Sequence, residues 1–157
     1  MEVPILRSTH KILSEKINAL KKDIDGNSRD IGEAAALGDL KENSAYHAAK
    51  ERQVLLLEKM QRFKAYLKGR VIDMSATPPD KVLFGTCAIV LDVESGAKHI
   101  FNLVGPVEYE LDLMPDMVTF AAPVAKLLMG KKVGELVEFK FGSNNWTGTI
   151  SEIRPIE

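Results

Sequence analysis

The 157-residue chain is 45% hydrophobic and 27% charged, with a formal net charge of −1, a composition that fits an ordinary globular protein and excludes disordered, collagenous and disulfide-scaffold classes. A single cysteine, Cys87, rules out an intramolecular disulfide, and no run approaches the ~18 apolar residues of a membrane span. Residues 1–75 carry a balance of +3 (14 Lys+Arg, 11 Asp+Glu) and residues 76–157 one of −4 (7 against 11), so neither half has the basic surplus of a chain that binds nucleic acid unaided.

Met1-Glu2-Val3-Pro4 opens no apolar stretch of the kind a signal peptide needs, and with disulfides excluded a cytoplasmic location is expected. Residues 1–8, with Pro4, read as a short lead-in. From Thr9 onward, Leu13, Ile17, Leu20, Ile24, Asn27, Ile31 and Ala34 recur at alternating spacings of four and three, a heptad seam with small and polar interruptions. Gly26-Asn27-Ser28 is a weak point, since glycine costs about 1 kcal/mol relative to alanine in a helix interior. Asp30 and Glu33 would allow a restart, but the seam keeps its phase and predicts one long helix.

A second seam follows at Ala49, Gln53, Leu56, Met60, Phe63 and Leu67. Two seams in succession predict an antiparallel coiled-coil hairpin over residues 1–75, with an acidic tip near 38–44 and Leu20, Ile24, Leu56 and Met60 buried near its middle. Helices of ~25–28 residues at ~1.5 Å per residue make it about 40 Å long, a length that fits a need for reach.

At Gly69 the texture changes. Gly69-Arg70-Val71-Ile72-Asp73 reads as a helix end followed by a strand, and Ser75-Ala76-Thr77-Pro78-Pro79-Asp80 as a linker. Strand-like runs follow at Thr86–Val93, His99–Val104, Glu108–Leu113, Val118–Phe120, Leu136–Phe141 and Trp146–Ile153, separated by Gly, Pro, Asn and Asp turn residues. Pro123 opens one helix, which Gly130 ends. The chain is thus α+β, with a small antiparallel sheet and one packed helix over residues 76–157. Cys87 lies in an apolar strand and reads as a core residue.

The chemistry concentrates in Gly38-Asp39-Leu40-Lys41-Glu42-Asn43-Ser44-Ala45-Tyr46-His47-Ala48-Ala49-Lys50. Asp39 and Glu42 admit two readings. They are capping carboxylates at the start of the second helix, or they are a metal handle, because Mg²⁺ often takes only one or two protein carboxylates and fills its shell with water and phosphate. Two acids cannot close a site but can complete one supplied by a partner. Lys41, Lys50 and Arg52 are either solvated helix faces or contacts to RNA phosphate. His10, His47 and His99 lack companions at metal-ligand spacing. No group of residues points to nucleophilic catalysis, and Gly130-Lys131-Lys132-Val133-Gly134 lacks the length of a phosphate-binding loop.

Residues 38–53 closely resemble the tip motif of the bacterial Gre transcript-cleavage factors, Gly-Asp-Leu-x-Glu-Asn-x-x-Tyr, and the likeness extends through Ile72. A second stretch, Ala122 through Gly134, is similar to the family's Ser-Pro-Ile-Ala-Arg-Ala-Leu-Leu-Gly-Lys-x-x-Gly signature. The resemblance implies a coiled coil followed by an FKBP-like domain that docks on RNA polymerase, with the coiled coil entering the polymerase's secondary channel. It further implies that Asp39 and Glu42 help hold a catalytic Mg²⁺ in the polymerase's own active site. The polymerase then hydrolyses the 3′ end of backtracked RNA, and the factor, no enzyme by itself, stimulates that step.

On this reading Gly38, Leu40, Asn43 and Tyr46 support the tip. Pro123, Lys126, Gly130, Lys131 and Lys132 are candidates for docking, and Lys41, Lys50 and Arg52 for RNA contact. No bound cofactor is expected outside the complex, no membrane is involved, and the chain is expected to be a monomer. Departures from the family pattern are Ala45, where a third acid is common, Ala35, where a basic residue is usual, Ala122 in place of serine, and the missing Arg-Pro pair near 27–30. They motivate an alternative: a secondary-channel modulator or inhibitor without strong cleavage activity. A distant alternative is peptidyl-prolyl isomerase activity, which needs an apolar pocket for the proline ring. Phe84, Phe101, Tyr109, Phe120, Phe139, Phe141 and Trp146 are available for one, but their placement in strands suits a core.

Overall fold

The first heptad seam folds as a single helix, α1 (Arg7–Ala35), and the second as α2 (Ser44–Leu67), in a computed structural model that describes residues 3–74 and 79–157. Gly26 does not break α1. Leu13, Ile17, Leu20, Asn27 and Ala34 are buried and Ile24 and Ile31 half-buried, while Met60 and Phe63 are buried and Ala49, Gln53, Leu56 and Leu67 half-buried. The inward positions are thus those of the two seams. Two helices cover each other along one stripe only, so Leu56 keeps part of its surface in water. Leu56→Ala is accordingly expected to cost less than the ~2–5 kcal/mol of a fully buried leucine, read by helical circular dichroism during thermal unfolding.

The chain divides into two compact units, His10–Gly69 and a second that joins the chain up to Thr9 with the chain from Arg70 onward. The expected boundary at 75/76, and residues 75–78 of the expected linker, lie outside the described residues. The residues around Pro4 are not a mere lead-in. Pro4–Leu6 form a strand, β1, paired in parallel with β2 (Arg70–Ile72), and helix α1 begins directly at Arg7. This pairing places the first strand in the sheet-bearing unit, not in the hairpin.

The main sheet has five strands: β3 (Thr86–Asp92), β4 (Lys98–Val104), β5 (Met117–Thr119), β6 (Leu136–Phe141) and β7 (Asn144–Pro155), in the order β5-β4-β3-β7-β6. It is mixed, because β5 runs parallel to β4. A parallel neighbour needs a crossover of about a dozen residues, and residues 105–116 supply it. Within them Pro106–Leu111 form a helix, α3, where a strand over Glu108–Leu113 was expected. Pro106 sits in the first turn with its φ already helical, and the Glu108 carboxylate accepts from the Gly105 N–H at 3.0 Å. Both features start helices. With α4 (Pro123–Leu128), the described residues after Arg70 hold two helices instead of one.

Glu108 is fully buried, and its second oxygen accepts from the Leu6 N–H at 3.3 Å. A buried carboxylate is tolerated where donors surround it, and here they come from β1 and the start of α3. Val82, Ala88, Val90, Leu103, Ala125, Leu128, Val137, Phe139 and Ile150 form the core. Phe139 stacks on Trp146 at 4.1 Å and on Phe101 at 6.0 Å, and Trp146 stacks in turn on His99 at 4.3 Å. Tyr109 on α3 and Phe141 at the end of β6 are exposed, so the aromatics do not all enter the core.

Gly148 lets the stack form. A Cβ there would run into Val90 Cγ1 and stand 2.9 Å from Trp146 Cζ3, where β7 pairs with Asp92 of β3. Val90 is fully buried and has nowhere to go. Gly148→Ala is expected to destabilise the sheet unit by roughly 1–3 kcal/mol, the usual cost of overpacking, measured as a lowered denaturant midpoint at unchanged slope.

Candidate functional site

The turn between α1 and α2 is built by its own polar side chains. Asn43 is the N-cap of α2: its Oδ1 accepts from the Tyr46 N–H at 3.1 Å, and its Nδ2 reaches back across the hairpin to the Ala34 carbonyl at 2.5 Å. One residue therefore satisfies the start of one helix and the end of the other. Asp39 Oδ1 accepts from the Lys41 N–H at 3.0 Å, a local turn that aspartate favours. Glu42 is exposed and makes no hydrogen bond or ion pair among the described residues.

The two acids therefore do not cap α2 by hydrogen bonds. The cap is Asn43, the first turn of α2 contains no acid, and only one oxygen of Asp39 is engaged, in the turn itself. Asp39 and Glu42 instead line one open depression together with Leu37, Gly38, Asn43, Ser44 and Ala45. Leu37 is 80% and Leu40 45% exposed, so two apolar side chains beside the acids keep much of their surface in water.

The basic candidates lie on the turn and along α2. Lys41 is exposed on the turn, and its carbonyl lies 3.4 Å from His47 Nε2. Lys50 lies over the Tyr46 ring at 5.4 Å, a cation–π contact, and Tyr46 meets His47 edge-on. Arg52 is exposed on α2.

In the sheet unit, Pro123 opens α4, and Lys126, Leu127, Met129 and Lys131 line a second depression with Leu136, Val137 and Glu138 of β6. Gly130 makes the turn between them at φ +83, a conformation that favours glycine, and backbone bonds to Val82 hold it on both sides. Lys126 and Lys131 are thus brought together, whereas Pro123 and Lys132 do not line the depression. Lys132 instead donates from its backbone N–H to Glu135 at 2.6 Å. Leu136 and Val133 are 62% and 57% exposed, giving this face an apolar component, of which Leu136 lies beyond the motif singled out in the sequence.

Among the described residues no group of three or more His, Cys, Asp or Glu could hold a metal ion. Asp39 and Glu42 offer hard carboxylate oxygens in an open, solvated place. That donor set suits Mg²⁺ only as part of a shell whose other ligands come from elsewhere. In the sheet, Phe101 and Trp146 both stack on Phe139 as part of the packed sheet unit, an arrangement that gives the isomerase alternative no support.

The likeness to known proteins covers both units. A family described as "Transcription elongation factor, N-terminal" matches residues 3–72, and one described as "Transcription elongation factor, GreA/GreB, C-term" matches residues 77–155. The transcription elongation factor GreA of Thermodesulfovibrio yellowstonii is 36% identical over 153 residues, 96% of each chain. GreA of Sulfurovum sp. is 33% identical over 152 residues, 96% of this chain and 93% of its own. Among solved structures, GreA factor homolog 1 of Thermus thermophilus aligns over 98% of this chain and 99% of its own at 18% identity, with a TM-score of 0.46.

Proposed function

From the premise that the chain belongs to the GreA/GreB family of transcription elongation factors, we propose that it binds bacterial RNA polymerase and lends Asp39 and Glu42 to the polymerase active site. The hairpin enters the secondary channel, and cleavage of the backtracked RNA 3′ end is stimulated there. The observation that supports this reading is the state of the two acids. They share one open surface, Glu42 has no partner among the described residues, and neither caps the helix beside them by a hydrogen bond.

A shared Mg²⁺ would supply the charge that activates water and stabilises the leaving oxygen in two-metal phosphodiester hydrolysis. The chain's own part is to present two negative charges on a turn that Asn43 fixes. The protein is then no enzyme alone, holds no metal alone, and works as a monomer in the cytoplasm with its polymerase.

Docking is assigned to the sheet unit, on the face that combines Lys126 and Lys131 with Leu127, Met129 and Leu136. A fragment of residues 76–157 would lose β1, β2 and one donor to Glu108, so docking is better tested in the full chain. Lys126→Glu with Lys131→Glu is expected to weaken polymerase binding and its competition with wild type while leaving the thermal unfolding of the protein unchanged. Binding equal to wild type would place the docking surface elsewhere.

One observation favours the modulator reading: Ala45 lines the depression where related sequences commonly carry a third acid. The deciding experiment is RNA cleavage by a stalled, backtracked polymerase with and without the full-length protein. Stimulated cleavage supports the first reading. Binding with inhibition and no cleavage supports the second.

A further inference from the structure

The seam between the hairpin helices carries one polar layer, and the function described so far does not use it. Asn27 is 3% exposed. Its Nδ2 donates to the Ala49 carbonyl and to Gln53 Oε1, each at 2.8 Å, and Gln53 Nε2 donates on to Ser28 Oγ at 3.1 Å. Both amides sit where the heptad pattern calls for an apolar residue. A polar side chain at such a position lowers stability and specifies register, because any other alignment leaves it buried without partners.

The place of this layer matters. Seven residues further along α1, the Asn43 amide bonds the Ala34 carbonyl, so two polar ties lie about 10 Å apart along the hairpin. Between them the seam offers half-buried Ile31, Tyr46 and Ala49 and the small, buried Ala34. Apolar burial there is partial, with no large side chain fully enclosed, and gives the alignment of the helices less definition than the two polar ties do. On the far side Leu20, Ile17, Met60 and Phe63 are well buried and give strength. A heptad seam alone fits nearly as well after a slip of one turn, and such a slip moves a helix by about 5 Å.

We infer that Asn27 and Gln53 are positioning residues: their amide layer fixes the register of the hairpin and thereby where Asp39 and Glu42 are presented. The positional consequence rests on the tip function proposed above, whereas the register claim stands on the hairpin alone.

The test uses full-length protein with Cys87→Ala and spin labels at Asp23→Cys and Glu58→Cys, both exposed positions on opposite helices. Wild-type seams are expected to give one narrow distance distribution. Asn27→Leu with Gln53→Leu is expected to broaden or split it, with an unfolding temperature equal to or above wild type. The swapped pair, Asn27→Gln with Gln53→Asn, is expected to restore the narrow distribution.

In the backtracked-polymerase assay the Leu pair is expected to lose on the order of 10-fold to 10²-fold in stimulated cleavage, the scale of an ångström-level misplacement, despite its undiminished stability. A narrow, unchanged distance distribution in the Leu pair overturns the register claim. A broadened distribution with cleavage equal to an active wild type overturns the positioning role. Failure of the wild type to stimulate cleavage counts against the proposed function, and the distances then decide the register claim alone.

Discussion

Replacing Glu42 with Gln is expected to lower stimulated RNA cleavage on the order of 10²-fold, the scale at which loss of one fixed charge at a reacting centre is felt, with folding and polymerase affinity unchanged. Gln keeps the size and one acceptor oxygen of Glu but removes the charge that draws Mg²⁺. Glu42 has no hydrogen-bond or ion-pair partner among the described residues, so the fold loses at most the ~0.3–1 kcal/mol of a charge beside a helix N-terminus. Asp39→Asn is expected to behave alike, because an asparagine Oδ1 still accepts the Lys41 N–H that closes the turn.

Asn43→Ala provides the opposite pattern. It removes the cap of α2 and the tie to Ala34, so hairpin stability falls by about 0.5–2 kcal/mol. Circular dichroism and a polymerase competition assay on the three variants separate charge from cap. A Glu42→Gln variant with lowered stability and full cleavage would restore the capping role.

Phe139→Ala is expected to cost about 3–5 kcal/mol, the usual range for deleting a buried phenylalanine, and to be the most damaging single core change in the sheet unit. Phe139 is 1% exposed and stacks between Trp146 and Phe101. Its loss opens a cavity and also removes the ring on which Trp146 lies. With stabilities of small domains at about 5–15 kcal/mol, the variant should be largely unfolded at modest denaturant. The chain has a single tryptophan, so Trp146 fluorescence follows this unit, and far-ultraviolet circular dichroism checks that the signal reports unfolding and not only the lost stack. A loss below ~1 kcal/mol would mean that the site collapses around the gap.

The helices were legible because burial along a two-helix stripe imposes a period that few other structures share. Even Asn27 and Gln53 kept the phase, and Gly26 did not interrupt it. The tip acids stood out for the same reason: residues that fit neither seam stand between the two. What the sequence hid was long-range or ambiguous. β1 is three residues long and pairs with residues 66 positions later, and no local pattern announces that. Gly105-Pro106-Val107-Glu108 carried a helix-start signal, but Glu108–Leu113 read equally well as strand, and only burial of Glu108 between two backbone donors decides for helix. The parallel placement of β5 follows from that helix and was lost with it. At the tip, the spacing of Asp39 and Glu42 left capping open. Asn43 settles it because its amide, unlike a carboxylate, can accept from one helix and donate to the other.

The central claim is that Asp39 and Glu42 act through a metal held jointly with the polymerase, and the rate of RNA cleavage by a backtracked complex as a function of Mg²⁺ concentration tests it most directly. For wild type, Asp39→Asn and Glu42→Gln at saturating factor, the expected result is a curve displaced to higher Mg²⁺ in both variants, with part of the lost rate recovered at the top of the range. Robust cleavage by both variants at low Mg²⁺, on the same curve as wild type, would contradict the assignment of these two carboxylates.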